Sequence, residues 1–258
     1  MGSSMPKATI KNIAGFLNKT LRVGKIKDAS KNGLQVRSPK NGEIGAVGFA
    51  VDACIATFEK ARKLGVDLLV VHHGIKWVPQ KDRELAALRE ACLKENNMAL
   101  YAAHLPLDLH EEYGNNMQLA RLLGLGRLNK FGRYHGIKIG YAGTFGSAVK
   151  LADVAAQIGK QLRSTCLVFP FGKERIRSIG IVSGGGGSIL PDAVREKLDC
   201  FLVGEADLAL FNAAKDQRMN VIAAGHYATE TVGVKALASL INKVFGVKTV
   251  FIEDTKDL

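Results

Sequence analysis

The chain has 258 residues, 47% of them hydrophobic, and a formal net charge of +12. That length fits one large domain or two modest ones with a sizeable core. No stretch approaches the ~18 consecutive apolar residues of a membrane span, and the polar start Met1-Gly2-Ser3-Ser4-Met5 lacks the apolar core of a secretory signal, so a cytoplasmic protein is expected.

In chain order, Asp52 to Lys63 reads as a helix ended near Gly65. The apolar run Val66-Asp67-Leu68-Leu69-Val70-Val71 is a buried strand that gives way to His72-His73 and Gly74. Arg83 to Asn96 is a helix with Leu85, Leu88 and Cys92 as its apolar positions. A strand over Met98 to Ala103 and a helix over Asn116 to Leu123 follow. The Gly- and Arg-rich stretch from Gly124 to Gly136 reads as a boundary. Beyond it come strands at Ile137–Tyr141, Cys166–Phe169, Ile176–Val182, Phe201–Val203, Val221–Ala224 and Thr249–Ile252. Helices at Ala152–Lys160, Pro191–Lys197, Asp207–Ala214 and Thr229–Lys243 lie among them. Such β/α alternation predicts an α/β fold with mostly parallel sheets covered by helices. The two halves share an order of elements without a sequence repeat.

Four cysteines (Cys54, Cys92, Cys166, Cys200) are scattered with no CxxC pair. Each falls in a predicted helix or strand, which indicates free, reduced thiols and neither a zinc cluster nor a disulfide framework. The basic charge is uneven. The first forty residues hold nine Lys/Arg against one acid, Asp28, and residues 121–177 hold eleven against Asp153 and Glu174. Solvated helix faces account for most of this, while a basic surface near a reactive centre favours anionic ligands. The basic residues are not interleaved with aromatics, so nucleic acid is a secondary expectation.

Five of the six histidines sit at or near predicted strand ends, each group beside a carboxylate or a second histidine. Successive side chains of a strand point to opposite faces, so His72 and His73 can serve two neighbouring ions. His104-Leu105-Pro106-Leu107-Asp108 and His226-Tyr227-Ala228-Thr229-Glu230 follow two further strands. The carboxyl ends of parallel strands form the crevice where ligands bind. His226 and Glu230, spaced i, i+4, share one face of an opening helical turn. His104 and Asp108 have the same spacing, but Pro106 favours a turn over a regular helix. Imidazoles with carboxylates and no thiolate suit Zn²⁺, Fe²⁺, Mn²⁺ or Co²⁺. A lone histidine is more often a hydrogen-bonded residue than a ligand, and His135, in a basic loop, is read so. Gly184 to Gly187 joins a strand to a helix with Ser188 as a suitable N-cap. Its backbone N–H groups can cradle an anion, yet it lacks the Lys-Ser/Thr ending of a P-loop. Ligand contact and a simple tight turn both stay open.

These motifs together resemble the NIF-three-like family, also called GTP cyclohydrolase I type 2 homologues. The resemblance rests on Asn32-Gly33-Leu34-Gln35-Val36, Asp67-Leu68-Leu69-Val70-Val71-His72-His73-Gly74, His104-Leu105-Pro106-Leu107-Asp108, Gly114-Asn115-Asn116, Val182-Ser183-Gly184-Gly185-Gly186-Gly187-Ser188, Val203-Gly204-Glu205 and Gly225-His226-Tyr227-Ala228-Thr229-Glu230, in family order across nearly the whole chain. It implies two similar α/β domains, a ring-shaped homohexamer and a dinuclear metal centre. The implied ligands of two divalent ions are His72, His73, Asp108, His226 and Glu230. His104 is implied either as a residue that supports the ligands from behind or as a proton-transfer residue, with His110 and Glu205 as further candidates near the site. The metal-binding domain would then be discontinuous, residues 1–126 with 220–258, and residues 127–219 would form the second. The implied function is hydrolysis of an anionic, nucleotide-like substrate by metal-activated water. The rival is a regulatory or scaffold protein that uses the metal for structure and binds proteins or nucleic acid; metal storage or delivery is a third, weaker reading.

Overall fold

The structure is a computed structural model in which residues 6–40 and 42–254 are described. The polar start Met1–Met5 lies outside the described residues. The chain divides into two compact units: the described residues up to Leu107 together with those from Val234 onward, and Asp108–Gly233. Along the sequence the elements are α1 (Ile10–Thr20), a 3₁₀ turn (Val23–Lys25), β1 (Gly33–Val36), β2 (Ala46–Asp52), α2 (Ile55–Lys63), β3 (Leu68–His73), α3 (Arg83–Glu95), β4 (Ala99–Ala102) and α4 (Leu105–Asp108). Next come α5 (Asn115–Leu122), β5 (Gly126–Tyr134), β6 (Ile137–Lys150), α6 (Leu151–Leu162), β7 (Leu167–Pro170), β8 (Arg175–Val182), a 3₁₀ turn (Gly186–Ile189), α7 (Leu190–Arg195), β9 (Cys200–Val203), α8 (Leu208–Asp216), β10 (Asn220–Ala223), α9 (His226–Phe245) and β11 (Lys248–Phe251).

The first unit is built on a five-stranded sheet in the order β1-β4-β3-β2-β11, parallel except for the β1–β4 pair. Leu68 to His72 of β3 are all buried, because a central parallel strand is covered on both faces and need not alternate. Leu69 and Val71 join Phe58, Leu93, Met98 and Ile252 in one core. Helix caps fix the surrounding elements: Thr9 Oγ1 accepts from Asn12 N at the start of α1, and Asp82 from Leu85 N at the start of α3.

The second unit holds a six-stranded sheet in the order β5-β6-β8-β9-β10-β7. It is mixed: β8-β9-β10 are parallel and the outer pairings antiparallel. This corrects the expectation of a mostly parallel sheet for this half. The strand period separates two cores, with Cys200 and Leu202 facing one and Phe201 and Val203 the other. Both units are thus α/β layers with helices over a sheet.

Three local readings change. The stretch read as a boundary is β5, paired with the fourteen-residue β6; its glycines and exposed arginines mask an edge strand. Residues 46–52 form β2, unrecognised because Ala46 to Val51 are buried without alternation. Residues 105–108 make one helical turn despite Pro106, which sits where a helix needs no N–H donor. The units change over at 107/108 and 233/234, where the sequence suggested 126/127 and 219/220. Helix α5 accounts for part of this shift, since its Leu119 and Ala120 are buried with Ile176, Ile179 and Ile222 of the second unit. All four cysteines are free, Cys200 buried and the others half-buried, with Cys54 and Cys166 just outside the regular elements. Among the described residues no helix is long and apolar enough to cross a membrane.

Candidate metal centre

In the first unit, β3 ends in His72 and His73 while the residue after Ala103 is His104. The three rings gather, with centroids 4.7 Å (His72–His73), 5.1 Å (His72–His104) and 5.6 Å (His73–His104) apart. One ligand atom from each lies within 4.8 Å of the others. Every ring is held through Nδ1. The Nδ1 of His72 donates to the Ala103 carbonyl at 2.9 Å. That of His73 lies 2.8 Å from Asp52 Oδ1, the residue facing it in the β2–β3 register. That of His104 lies 2.9 Å and 3.2 Å from the two oxygens of Asp28. A carbonyl or carboxylate oxygen only accepts, so Nδ1 carries a proton in each ring, and Nε2 is the nitrogen left to meet a ligand.

Asp28 is the centre of this arrangement. Its side chain is 2% exposed, and it accepts hydrogen bonds from Ser30 N, Leu105 N and Asn32 Nδ2 besides His104. Asn32 Oδ1 in turn accepts from His104 N at 2.7 Å. Burial opposes ionisation, but the hydrogen bond and charge of His104, with Asn32 and Ser30 N, hold the carboxyl down at about 2.

In the second unit, β10 leads into α9, whose first turn carries His226 and Glu230 on one face. His226 Nε2 lies 3.3 Å from Glu230 Oε1, and His226 Nδ1 lies 2.7 Å from Glu205 Oε2. The hydrogen bond that Glu230 accepts from His226 pushes the imidazole up to about 9 against the opposing effect of burial, and the charges of Glu230 and Glu205 add to it. The side chain of Glu230 is 5% exposed. Gly184, at φ +62°, lies against it so closely that a Cβ there would collide with Glu230 Oε1. The preceding residue, Ser183, donates through Oγ to Asp108 Oδ1 at 3.1 Å, and Asn115 Nδ2 donates to the same oxygen at 2.8 Å. The Ser183-Gly184 dipeptide therefore touches both Asp108 and Glu230.

The Gly184–Gly187 segment is a locked turn: Gly184 N donates to Thr229 Oγ1, and its carbonyl accepts from Gly204 N and Glu205 N. Ser188 does not cap a helix, because it lies inside the 3₁₀ turn that precedes α7. His110 builds a turn, its Nδ1 accepting from Glu112 N and Tyr113 N. His135 sits at φ +46° between β5 and β6, against Tyr134.

The donors fit a metal of the kind expected. Imidazole nitrogens backed at Nδ1 by an oxygen acceptor are the arrangement that fixes the tautomer and raises the basicity of a metal-ligating histidine. His72, His73, His104 and His226 all have it. Buried carboxylates stand ready in Asp108 and Glu230, and no thiolate belongs to either group. Asp28 and Asp52 were not singled out from the sequence. The one available signal was that Asp28 is the lone acid among forty residues.

Residues 8–257 match the Duf34/NIF3 (NGG1p interacting factor 3) family. The chain belongs to that family. A protein of Pyrococcus abyssi named GTP cyclohydrolase 1 type 2 homolog is 44% identical over 248 residues, covering 95% of this chain and 98% of the relative. Among solved structures, the TTHA1606 protein of Thermus thermophilus is 36% identical with a TM-score of 0.85, covering 96% of this chain and 99% of its own. The ybgI protein, described as of unknown function, is 30% identical with a TM-score of 0.88 over 96% of this chain and 99% of its own.

Proposed function

We propose that this chain is a hydrolase dependent on two divalent cations, acting on an anionic, nucleotide-like substrate. The observation that carries it is the shared anchoring of four imidazoles at Nδ1, with each Nε2 as the basic nitrogen. The residues that would hold the ions are His72, His73 and Asp108 together with His226 and Glu230. When bound, such cations polarise a substrate oxygen and acidify water. Zn, Fe, Mn and Co all suit the donors.

His104 has a separate task. Backed by buried Asp28, it keeps its Nδ1 proton in place, so Nε2 is the atom that takes up a proton and returns it to a leaving group. The relatives' name points to a purine nucleotide, GTP, opened at its imidazole ring. The basic first forty residues favour an anionic ligand. A cytoplasmic location agrees with the four free thiols. A homohexamer completes the reading, with analytical ultracentrifugation as its check.

The test is metal analysis of the purified protein followed by a screen of nucleotides and phosphate esters, with His73→Ala as control. Stoichiometric metal and turnover lost in the control support the reading; full metal with no turnover of any member of the panel sinks the hydrolase. One observation favours a second reading: the family description is that of an interacting factor. A regulatory protein that binds nucleic acid through its basic stretches would bind oligonucleotides with steep salt dependence.

A further inference from the structure

Trp77 is the chain's one tryptophan, and its indole stands at the edge of the histidine group. Its ring centroid is 5.2 Å from that of His104, at an interplanar angle of 73°, and 6.2 Å from that of His73. His73 and His104 remain 21% and 23% exposed, Trp77 is half-buried, and the following Val78 is 57% exposed. A large aromatic ring thus lies where solvent reaches the histidines.

The segment that carries it is held at many points. Trp77 Nε1 donates to the Gly74 carbonyl at 2.9 Å, and Trp77 N to Gln80 Oε1 at 3.0 Å. Val78 N donates to Ala29 O at 2.7 Å and Lys31 N to Lys76 O at 3.0 Å. The buried Gln35 side chain accepts from Ile75 N and Lys76 N. Gly74 is required beside it, since a Cβ there would strike the Gln35 amide. This ties the indole to the strand that bears His72 and His73 and to the segment that bears Asp28. Because its only N–H is already used on Gly74, the indole has no hydrogen bond to offer a ligand. What it can offer a ligand is contact through the ring itself, held in place beforehand, and a preformed aromatic ring recognises planar rings by stacking.

We propose that Trp77 is a specificity-determining residue, the platform on which a planar heteroaromatic ring of the ligand stacks beside the histidine group. It rests on the nucleotide-like substrate class proposed above and adds to it a discriminating contact. A sugar phosphate without a base would lack that contact, whereas a purine nucleotide would gain it.

The experiment compares guanosine 5′-monophosphate with ribose 5-phosphate, which share sugar and phosphate and differ in the base. Calorimetric binding to wild type, Trp77→Phe and Trp77→Leu is measured on protein of determined metal content, with thermal melts to confirm folding. Stacking on an aromatic residue is worth enough that Trp77→Leu weakens guanosine 5′-monophosphate about 5- to 100-fold. Trp77→Phe keeps most of the affinity, and ribose 5-phosphate binding and metal content stay unchanged in both. Quenching of the single indole by guanosine 5′-monophosphate, with none by ribose 5-phosphate, is the matching signature in wild type. The proposal is overturned if Trp77→Leu leaves guanosine 5′-monophosphate binding intact, if it weakens both ligands equally, or if wild type does not prefer the nucleotide. The two readings fail separately. A protein that binds the nucleotide through Trp77 but hydrolyses nothing keeps the platform and loses the hydrolase. One that hydrolyses sugar phosphates without base preference does the reverse.

Discussion

In the first unit the acids stand behind the rings. Asp28 and Asp52 hold His104 and His73 from the far side, and the Ala103 carbonyl does the same for His72. In the second unit His226 has acids at both of its nitrogens, Glu205 at Nδ1 and Glu230 at Nε2. The first pattern holds each ring in place through its Nδ1. The second yields an imidazole that, without a cation, keeps an extra proton between two carboxylates. The same residue types therefore prepare nitrogen donors in one unit and negative charge in the other.

The sharpest way to break this comparison is to remove the charge. Glu230→Ala is expected to lose metal and turnover together, with affinity at least about tenfold lower by metal titration, given that even outer positions around a metal cost that much. A variant that keeps both would remove Glu230 from the ligands. Asp28→Ala attacks the other unit. It strips several donors, including the buried Leu105 N, of their acceptor, and is expected to lower stability by about 2–4 kcal/mol in urea unfolding. Because the folded Asp28 carboxyl is held at about 2, below the unfolded value of ~3.9, its contribution is present above pH ~4. It is lost as pH falls through about 2.

Gly184→Ala sharpens the comparison within the second unit. A left-handed backbone and a collision with Glu230 predict a loss of about 1–3 kcal/mol, with lowered metal content as the specific readout. The pH dependence follows from His226. In metal-free protein its folded value of about 9 lies above the ordinary ~6.5, so its stabilisation is present below pH ~6.5 and lost as pH rises through about 9. Protons and cations compete for the same imidazole. Apparent metal affinity should rise with pH across the neutral range and level off near 9, and a flat profile would contradict the two-acid arrangement. The smallest effect is expected at Lys173→Ala. Its ion pair with Asp199 leaves the lysine 77% exposed, and less than about 1 kcal/mol should change.

Much of this was readable in the chain. Strand β3 and helix α9 carry long apolar runs, helix α3 forms where the sequence places it although its Leu85 and Leu88 turn out exposed, and three histidines that follow strands, His72, His73 and His104, gather in one place. What escaped was of two kinds. Elements whose burial does not alternate, such as β2, or whose outer face is basic and glycine-rich, such as β5, have no local pattern that distinguishes them from a helix start or a loop. The second kind is partnership across distance. Asp28 meets His104 across 76 positions, and Asp52 meets His73 only through the register of two parallel strands. No spacing rule reports such a contact, although a lone acid in a basic segment is a reason to look for its partner.

Strand β11 and Ile252 belong to the first unit, where β11 pairs with β2 and Ile252 is buried in the core. They follow every described residue of the second unit in the sequence. During synthesis the second unit can fold while the first still waits for its fifth strand, leaving the outer edge of β2 open until Lys248–Phe251 emerge. Deleting Lys248–Ile252 would therefore harm the histidine-bearing sheet first, although His72 and His73 lie far away in the sequence.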